Sequence, residues 1–253
     1  MNGLIFGVCA LVTGISASIR LHYTRKRSHE AAYRVAHRAR VAAFFASFIG
    51  SLLAIPPLAE AVNRLTALNE VSSLGSDLAA VIFWASLQVM IVDWTHSRTY
   101  LHTGIAIRIL AASGVILALV WQFQRADTAY LDLSTMYARS SEVTLYVMTY
   151  AGFTALAGLE ISAFSTGLAL KTWQQRRAAA AGLSIAAVGG VFGVAYALSE
   201  GGYILAFHTG NAWPLSLENT ISPALAGLSI ICVAVGLALA TASYNIPLKK
   251  ELS

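Results

Sequence analysis

The sequence predicts an all-α polytopic membrane protein, a single bundle of seven transmembrane helices over residues 1–253 with its amino terminus outside and its carboxyl terminus cytoplasmic. Three observations lead there. Of 253 residues, 57% are hydrophobic and only 11% charged, with a mean hydropathy of +0.65, whereas soluble domains carry roughly 25% charged residues. The apolar residues gather into runs of membrane-spanning length, and the basic residues gather in alternate connectors. A soluble core of this chain length could not enclose so much apolar surface, so the excess must face lipid.

A helix needs about 20 mostly apolar residues to cross a hydrocarbon layer of roughly 30 Å. Seven runs meet that measure, at about 3–20, 41–59, 77–95, 104–123, 143–169, 180–206 and 221–243. The first run has no positive charge before it and several after it, the pattern of a retained span rather than a cleaved leader. The second closes on Pro56-Pro57, which terminates or kinks a helix because proline removes a donor and crowds the preceding turn. The fifth and sixth exceed a perpendicular crossing, which implies tilt or extension beyond the lipid. Ala178-Ala-Ala-Ala-Gly182 and Gly189-Gly190-Val-Phe-Gly193 are small-residue spacings that permit close helix contact.

Lysine and arginine in short connectors stay on the cytoplasmic side. Arg20, Arg25, Lys26, Arg27, Arg34, Arg38, Arg40, Arg98, Arg108, Lys171, Arg176, Arg177, Lys249 and Lys250 all fall on one face, 14 of the 17 basic residues. Arg64, Arg125 and Arg139 fall on the other, with Glu60, Glu70, Asp77, Asp127, Asp132, Glu142 and Glu218. The basic connector 20–40 suits anionic lipid headgroups. The outer connectors 60–76 and 124–142 are too short for domains and suit surface helices or a small cap. Within the second, Tyr130, Asp132, Tyr137 and Arg139 combine aromatic and charged groups at interface depth, as anchors or as contacts for an extracellular ligand or protein.

Ionisable groups inside spans are costly and mark candidate sites. Glu160 falls near the middle of the fifth run. Gln88 has similar depth on the third run and could bond across to it, while Arg108, only a few residues inside the fourth run, could snorkel to the inner surface or reach inward toward Glu160. Glu200 lies near the outer end of the sixth run beside Gly201 and Gly202, roughly 16 Å from Glu160 along the membrane normal at 1.5 Å per residue, too far for a carboxylate pair. Asp93 sits at the inner rim beside Trp94. Gln88, Glu160, Thr154 and Ser162 equally suit a purely structural role, holding helices together.

Other classes find no support. Net charge of +5 and a pI near 9.4 come from connectors, not from a basic face for nucleic acid. Cys9 and Cys232 sit in apolar runs as small hydrophobes, and neither a metal cluster nor a disulfide framework follows. There is no H-E-x-x-H, G-x-S-x-G or G-x-x-x-x-G-K, so no enzyme activity is expected. The histidines avoid the span interiors, which leaves haem without ligands, and 221–243 lacks the lysine a retinal protein needs. No cofactor is expected, and oligomeric state stays open.

Pro56-Pro-Leu-Ala-Glu-Ala-Val-Asn-Arg-Leu-Thr66, Trp84-Ala-Ser-Leu-Gln88 and Asp132 through Arg139 resemble an actinobacterial family of seven-span integral membrane proteins, catalogued provisionally as transporters. The resemblance runs over nearly all the spans and implies the bacterial plasma membrane. It implies Arg-x-Thr-Gly after the Pro-Pro, where this chain has Ala67, and a cytoplasmic region after the last span, for which this sequence has no counterpart. It brings no binding residues with it. The residues themselves favour a receptor-like or interaction protein over the alternative, a small-molecule or proton-coupled transporter using Glu160. Few polar residues line any path, and seven spans do not divide into the paired halves common among transporters.

Overall fold

The computed structural model describes residues 2–26, 34–95, 98–126, 138 and 140–245, and among them every regular element is an α-helix. In chain order these are α1 (Asn2–Lys26), α2 (Arg34–Leu53), α3 (Pro56–Thr66), α4 (Val71–Thr95), α5 (Arg98–Arg125), α6 (Ser141–Thr172), α7 (Arg177–His208) and α8 (Leu215–Asn245). Helices α4 to α8 are each long and apolar enough to cross a membrane. The bent pair α2–α3 brings the number to six when taken as one span, and α1 adds an apolar stretch over Gly3–Ser18. Large apolar side chains such as Leu110, Leu117, Leu156, Leu170 and Leu205 stand on the outer surface, which lipid, not water, can cover. This is a multipass membrane protein.

The helices alternate in direction, so one end of the bundle collects the start of α4, α6 and α8 and the other collects their finish. Helices α6, α7 and α8 form the most extensively packed layer, with α2 and α4 as the second and α1 and α5 at the flanks. Small residues set the first layer. A Cβ on Gly236 would lie 2.5 Å from the backbone of Ala186 and from the Gly182 carbonyl, so α7 and α8 touch backbone to backbone. At the opposite edge, Ser162 Oγ donates to the Ala187 carbonyl at 2.9 Å and ties α6 to α7.

The expected second span, 41–59, is corrected. Helix α2 ends at Leu53, and α3 leaves it at 85°. Pro56 and Pro57 withhold the donors that the Leu52 and Leu53 carbonyls would need, and Ile55, preceding a proline, is driven into extended backbone (φ −80°, ψ 119°). The chain therefore turns across the end of the bundle. None of α3 is buried; Leu58 and Leu65 stay exposed on a helix whose other side carries Glu60 and Arg64, the pattern of a helix lying in the membrane interface. Its C-cap, Ala67, adopts left-handed backbone (φ 54°).

A second correction concerns length. Helix α4 begins six residues before Asp77 and α8 three residues before Glu218. Glu218 thus belongs to the bundle rather than to an outer connector, and Asp77, expected as the first residue of its run, lies well inside its helix.

Candidate functional site

Two polar assemblies interrupt the apolar interior, at different depths. The first joins α4, α5 and α6. Arg108 Nε donates to Glu160 Oε1 at 2.8 Å, and Nη2 donates to the same oxygen. Gln88 Nε2 donates to Oε2 at 2.6 Å, and Arg108 Nη1 donates to the Gly104 carbonyl at 2.9 Å. From the midpoint of α6, Glu160 lies roughly 5 Å toward the basic end at 1.5 Å per residue. The sequence candidates Gln88, Arg108 and Glu160 are therefore brought together, with Arg108 reaching inward. Both carboxylate oxygens are engaged, and the charges cancel within the assembly.

Nearer the basic rim, Asp93 Oδ2 accepts from the Ala36 backbone N–H at 3.2 Å. Arg40 is buried there, donating to Thr241 Oγ1 at 3.0 Å with its guanidinium 5.5 Å from the Trp94 ring centre. Arg40 thus clamps α2 to α8, and its charge faces the bundle, a correction to its expected place among headgroup-facing residues. The side chains of residues 19–34 lie outside the described residues, as do Tyr130, Asp132, Tyr137, Arg139, Lys249 and Lys250.

The second assembly surrounds a cavity of about 300 Å³ in the opposite half. Helices α1, α2, α4, α6, α7 and α8 all contribute to its wall, and α5 does not. Three carboxylic side chains line it: Asp77, Glu200 and Glu218. By helical rise, Asp77 and Glu200 stand roughly 9 and 11 Å from their helix midpoints toward the acidic end, so they share a depth. Tyr146 donates to Asp77 Oδ2 at 2.7 Å, and the Tyr196 hydroxyl bonds Glu200. The most buried of the three, Glu218, takes bonds from Ser199 at 3.0 Å, Trp213 Nε1 at 2.9 Å and Ser222.

Aromatic rings complete the wall. Tyr150 and Tyr196 meet edge to face at 6.2 Å, and Phe83 and Trp84 at 5.3 Å. Trp84 lies against Gly193, where a Cβ would come within 2.6 Å of its ring. Trp84, in the cavity wall, stands one helical turn before Gln88 on α4. Glu160, Arg108 and Gln88 are not among the lining residues.

Several residues lining the cavity have hydrogen-bonding capacity to spare. Ser47 and Ser51 on α2, 4% and 3% exposed, line it, and their hydroxyls have no hydrogen-bond partner. Pro223 lies inside α8 and withholds the i→i−4 donor from the carbonyl of Asn219, another lining residue. A buried hydroxyl without a partner costs about 1–3 kcal/mol, so such groups inside a concavity mark where a polar guest would recover it. Chemically this is a small-molecule pocket, at the lower end of the ~300–1,000 Å³ range of such sites.

Sequence reasoning named Glu200 but not its companions. Asp77 and Glu218 sat at run edges where acids read as connector residues, and Tyr146, Tyr150 and Tyr196 read as ordinary apolar-run aromatics. Helical spacing held one usable signal: Tyr146 and Tyr150, and likewise Tyr196 and Glu200, are four residues apart, each pair on one helix face. No family model, curated protein or solved structure matches this chain.

Proposed function

We propose that the chain is a receptor-like, non-enzymatic protein of the bacterial plasma membrane, with seven spans and its amino terminus outside, that takes a small ligand from the outer side into the cavity between α2, α4, α6, α7 and α8. The basic residues of connectors 20–40 and 171–177 support this orientation, with the cavity in the outer half. One observation carries the binding role: a 300 Å³ cavity whose lining residues include Ser47 and Ser51, both with buried hydroxyls that have no hydrogen-bond partner. Ordinary helix-to-helix packing fills such space or pairs such groups. The closed Glu160 assembly, outside that cavity, favours reception over a carrier that loads at Glu160.

The test uses a chain in which Cys9→Ala and Cys232→Ala remove the native thiols and Ser51→Cys adds one. A membrane-impermeant thiosulfonate added outside spheroplasts should modify position 51, while a tag after residue 253 should stay protected from external protease. Labelling only from the cytoplasmic side would reverse the orientation, and no labelling from either side would remove the pocket. In proteoliposomes, Glu160→Gln should leave flux of small organic solutes at the wild-type level; a flux that wild type supports and Glu160→Gln abolishes would establish the carrier instead. Replacing 124–142 with a neutral linker asks separately whether Tyr130, Asp132, Tyr137 and Arg139 contact an extracellular partner: retained binding makes that segment a connector.

A further inference from the structure

We propose that the ligand of this cavity is a small organic cation, a protonated amine or quaternary ammonium group seated between Asp77 and Glu200 against the rings of Trp84, Tyr150 and Tyr196. The inference rests on the reading of the cavity as a ligand pocket and adds the chemistry of its guest.

Charge is the first argument. Three carboxylic groups line the cavity, and its lining includes no lysine, arginine or histidine. Their hydrogen-bond donors, Tyr146, Tyr196, Ser199, Trp213 and Ser222, are all neutral. The ion pairs among the described residues, Arg64–Glu60 and Arg108–Glu160, lie elsewhere. A carboxylate buried without a cation is strongly disfavoured and holds a proton instead, so a cationic guest is what would let these groups ionise. An anion would oppose that ionisation, and a neutral guest would not promote it.

The walls then decide between a metal ion and an organic cation. A bare metal needs several oxygen ligands converging within bonding distance, and the described residues contain no group of three acidic, histidine or cysteine side chains so placed. Asp77 and Glu200 instead come from α4 and α7, with aromatic rings on the wall between α4, α6 and α7. Rings of Trp and Tyr attract a diffuse ammonium through their π faces, and such cages are how proteins hold quaternary amines. Ser47 and Ser51, on α2 and independent of this acidic set, line the cavity with hydroxyls that lack a partner, acceptors for an ammonium N–H or a polar tail that reaches them. Glu218, locked by its own bonds, contributes charge at longer range.

The experiment follows modification of Ser51→Cys, in the Cys9→Ala, Cys232→Ala chain in nanodiscs, with choline, benzyltrimethylammonium, sodium chloride and 3,3-dimethyl-1-butanol as probes. The last replaces choline's ammonium nitrogen by carbon at nearly the same shape. The expected result is saturable slowing of the modification, tenfold or more, by at least one ammonium probe and less than twofold by the alcohol and by sodium. Asp77→Asn and Glu200→Gln should each weaken that protection at least tenfold. The comparison of choline with its carbon analogue needs no further variant, so it stands even if those substitutions disturb folding. A cysteine that is modified yet equally protected by choline and the alcohol, or by none of the probes, overturns the cation and leaves the pocket. Protection by sodium alone assigns the site to an alkali metal and overturns the proposal. A cysteine at 51 that no reagent reaches overturns the underlying pocket instead.

Discussion

Removing one partner of the Arg108–Glu160 pair should cost far more than removing both. The two side chains are 17% and 18% exposed and stand near the middle of their helices, where neither water nor headgroups can readily take over. Glu160→Met leaves the guanidinium with the Gly104 carbonyl at 2.9 Å as its remaining acceptor, and Gln88 loses its 2.6 Å bond. Stranding one ion of a buried pair costs about 3–5 kcal/mol, whereas replacing both members by apolar groups of similar volume is often nearly neutral. The expected values are therefore about 3–5 kcal/mol for Glu160→Met, a similar loss for Arg108→Met, and below about 2 kcal/mol for the double variant. The coupling comes to at least about 4 kcal/mol. Reversible unfolding in mixed micelles, titrated with a denaturing detergent and followed by tryptophan fluorescence and circular dichroism, reads all four corners of the cycle. Losses in the double variant equal to the sum of the singles would refute the reasoning, because they would show each group anchored independently of the other.

Other sites give smaller or opposite effects. Gly236→Ala inserts a Cβ 2.5 Å from the Ala186 backbone and should destabilise the same unfolding equilibrium by about 1–3 kcal/mol. Gly193→Ala must displace the Trp84 ring, 2.6 Å from the new atom, and should reduce ammonium protection of Ser51→Cys several-fold while the helical circular dichroism persists. Ala67→Gly relieves left-handed backbone at the end of α3 (φ 54°) and should stabilise by about 0.5–1 kcal/mol after the entropy glycine gains in the unfolded chain. Arg64→Ala removes an ion pair whose side chains are 82% and 68% exposed; its effect on unfolding should stay within about 0.5 kcal/mol.

Most of the fold was legible because its cause is local. Six of the seven apolar runs lie within single helices, and the exception, 41–59, fails at the proline pair whose effect on backbone donors is itself a local rule. Pro56-Pro57 announced a break, but the 85° turn into α3 also depends on α3 finding the end of the bundle to lie across. The Glu160 assembly was legible for a related reason. An ionisable group at mid-depth has few places to find a partner: Gln88 shares its level, and Arg108, a few residues inside its run, reaches inward to it.

The cavity was illegible because hydropathy measures where a run stops being apolar, not where its helix stops. Asp77 and Glu218 each end an apolar run when read from within it, yet α4 and α8 continue outward for further residues, carrying both acids into the bundle. This changes what the outer charges mean. Asp77 and Glu218 cease to be evidence about the acidic face of the membrane, and orientation rests on lysine and arginine, the residues the physical rule concerns. The same two acids, moved inward, join Glu200 on one wall with no basic side chain opposite. Glu160, at the next level down, has its cation built into the chain as Arg108. The two levels therefore differ in the source of the positive charge, and along α4 Trp84 falls one turn before Gln88. If a guest supplies that charge above Trp84, the indole is the surface on which it rests. Trp84→Ala should then weaken ammonium protection of position 51 by about five- to thirtyfold, through loss of a cation–π contact worth about 1–2 kcal/mol, and leave the Glu160→Met cost unchanged. Equal protection in Trp84→Ala would place the guest elsewhere in the cavity.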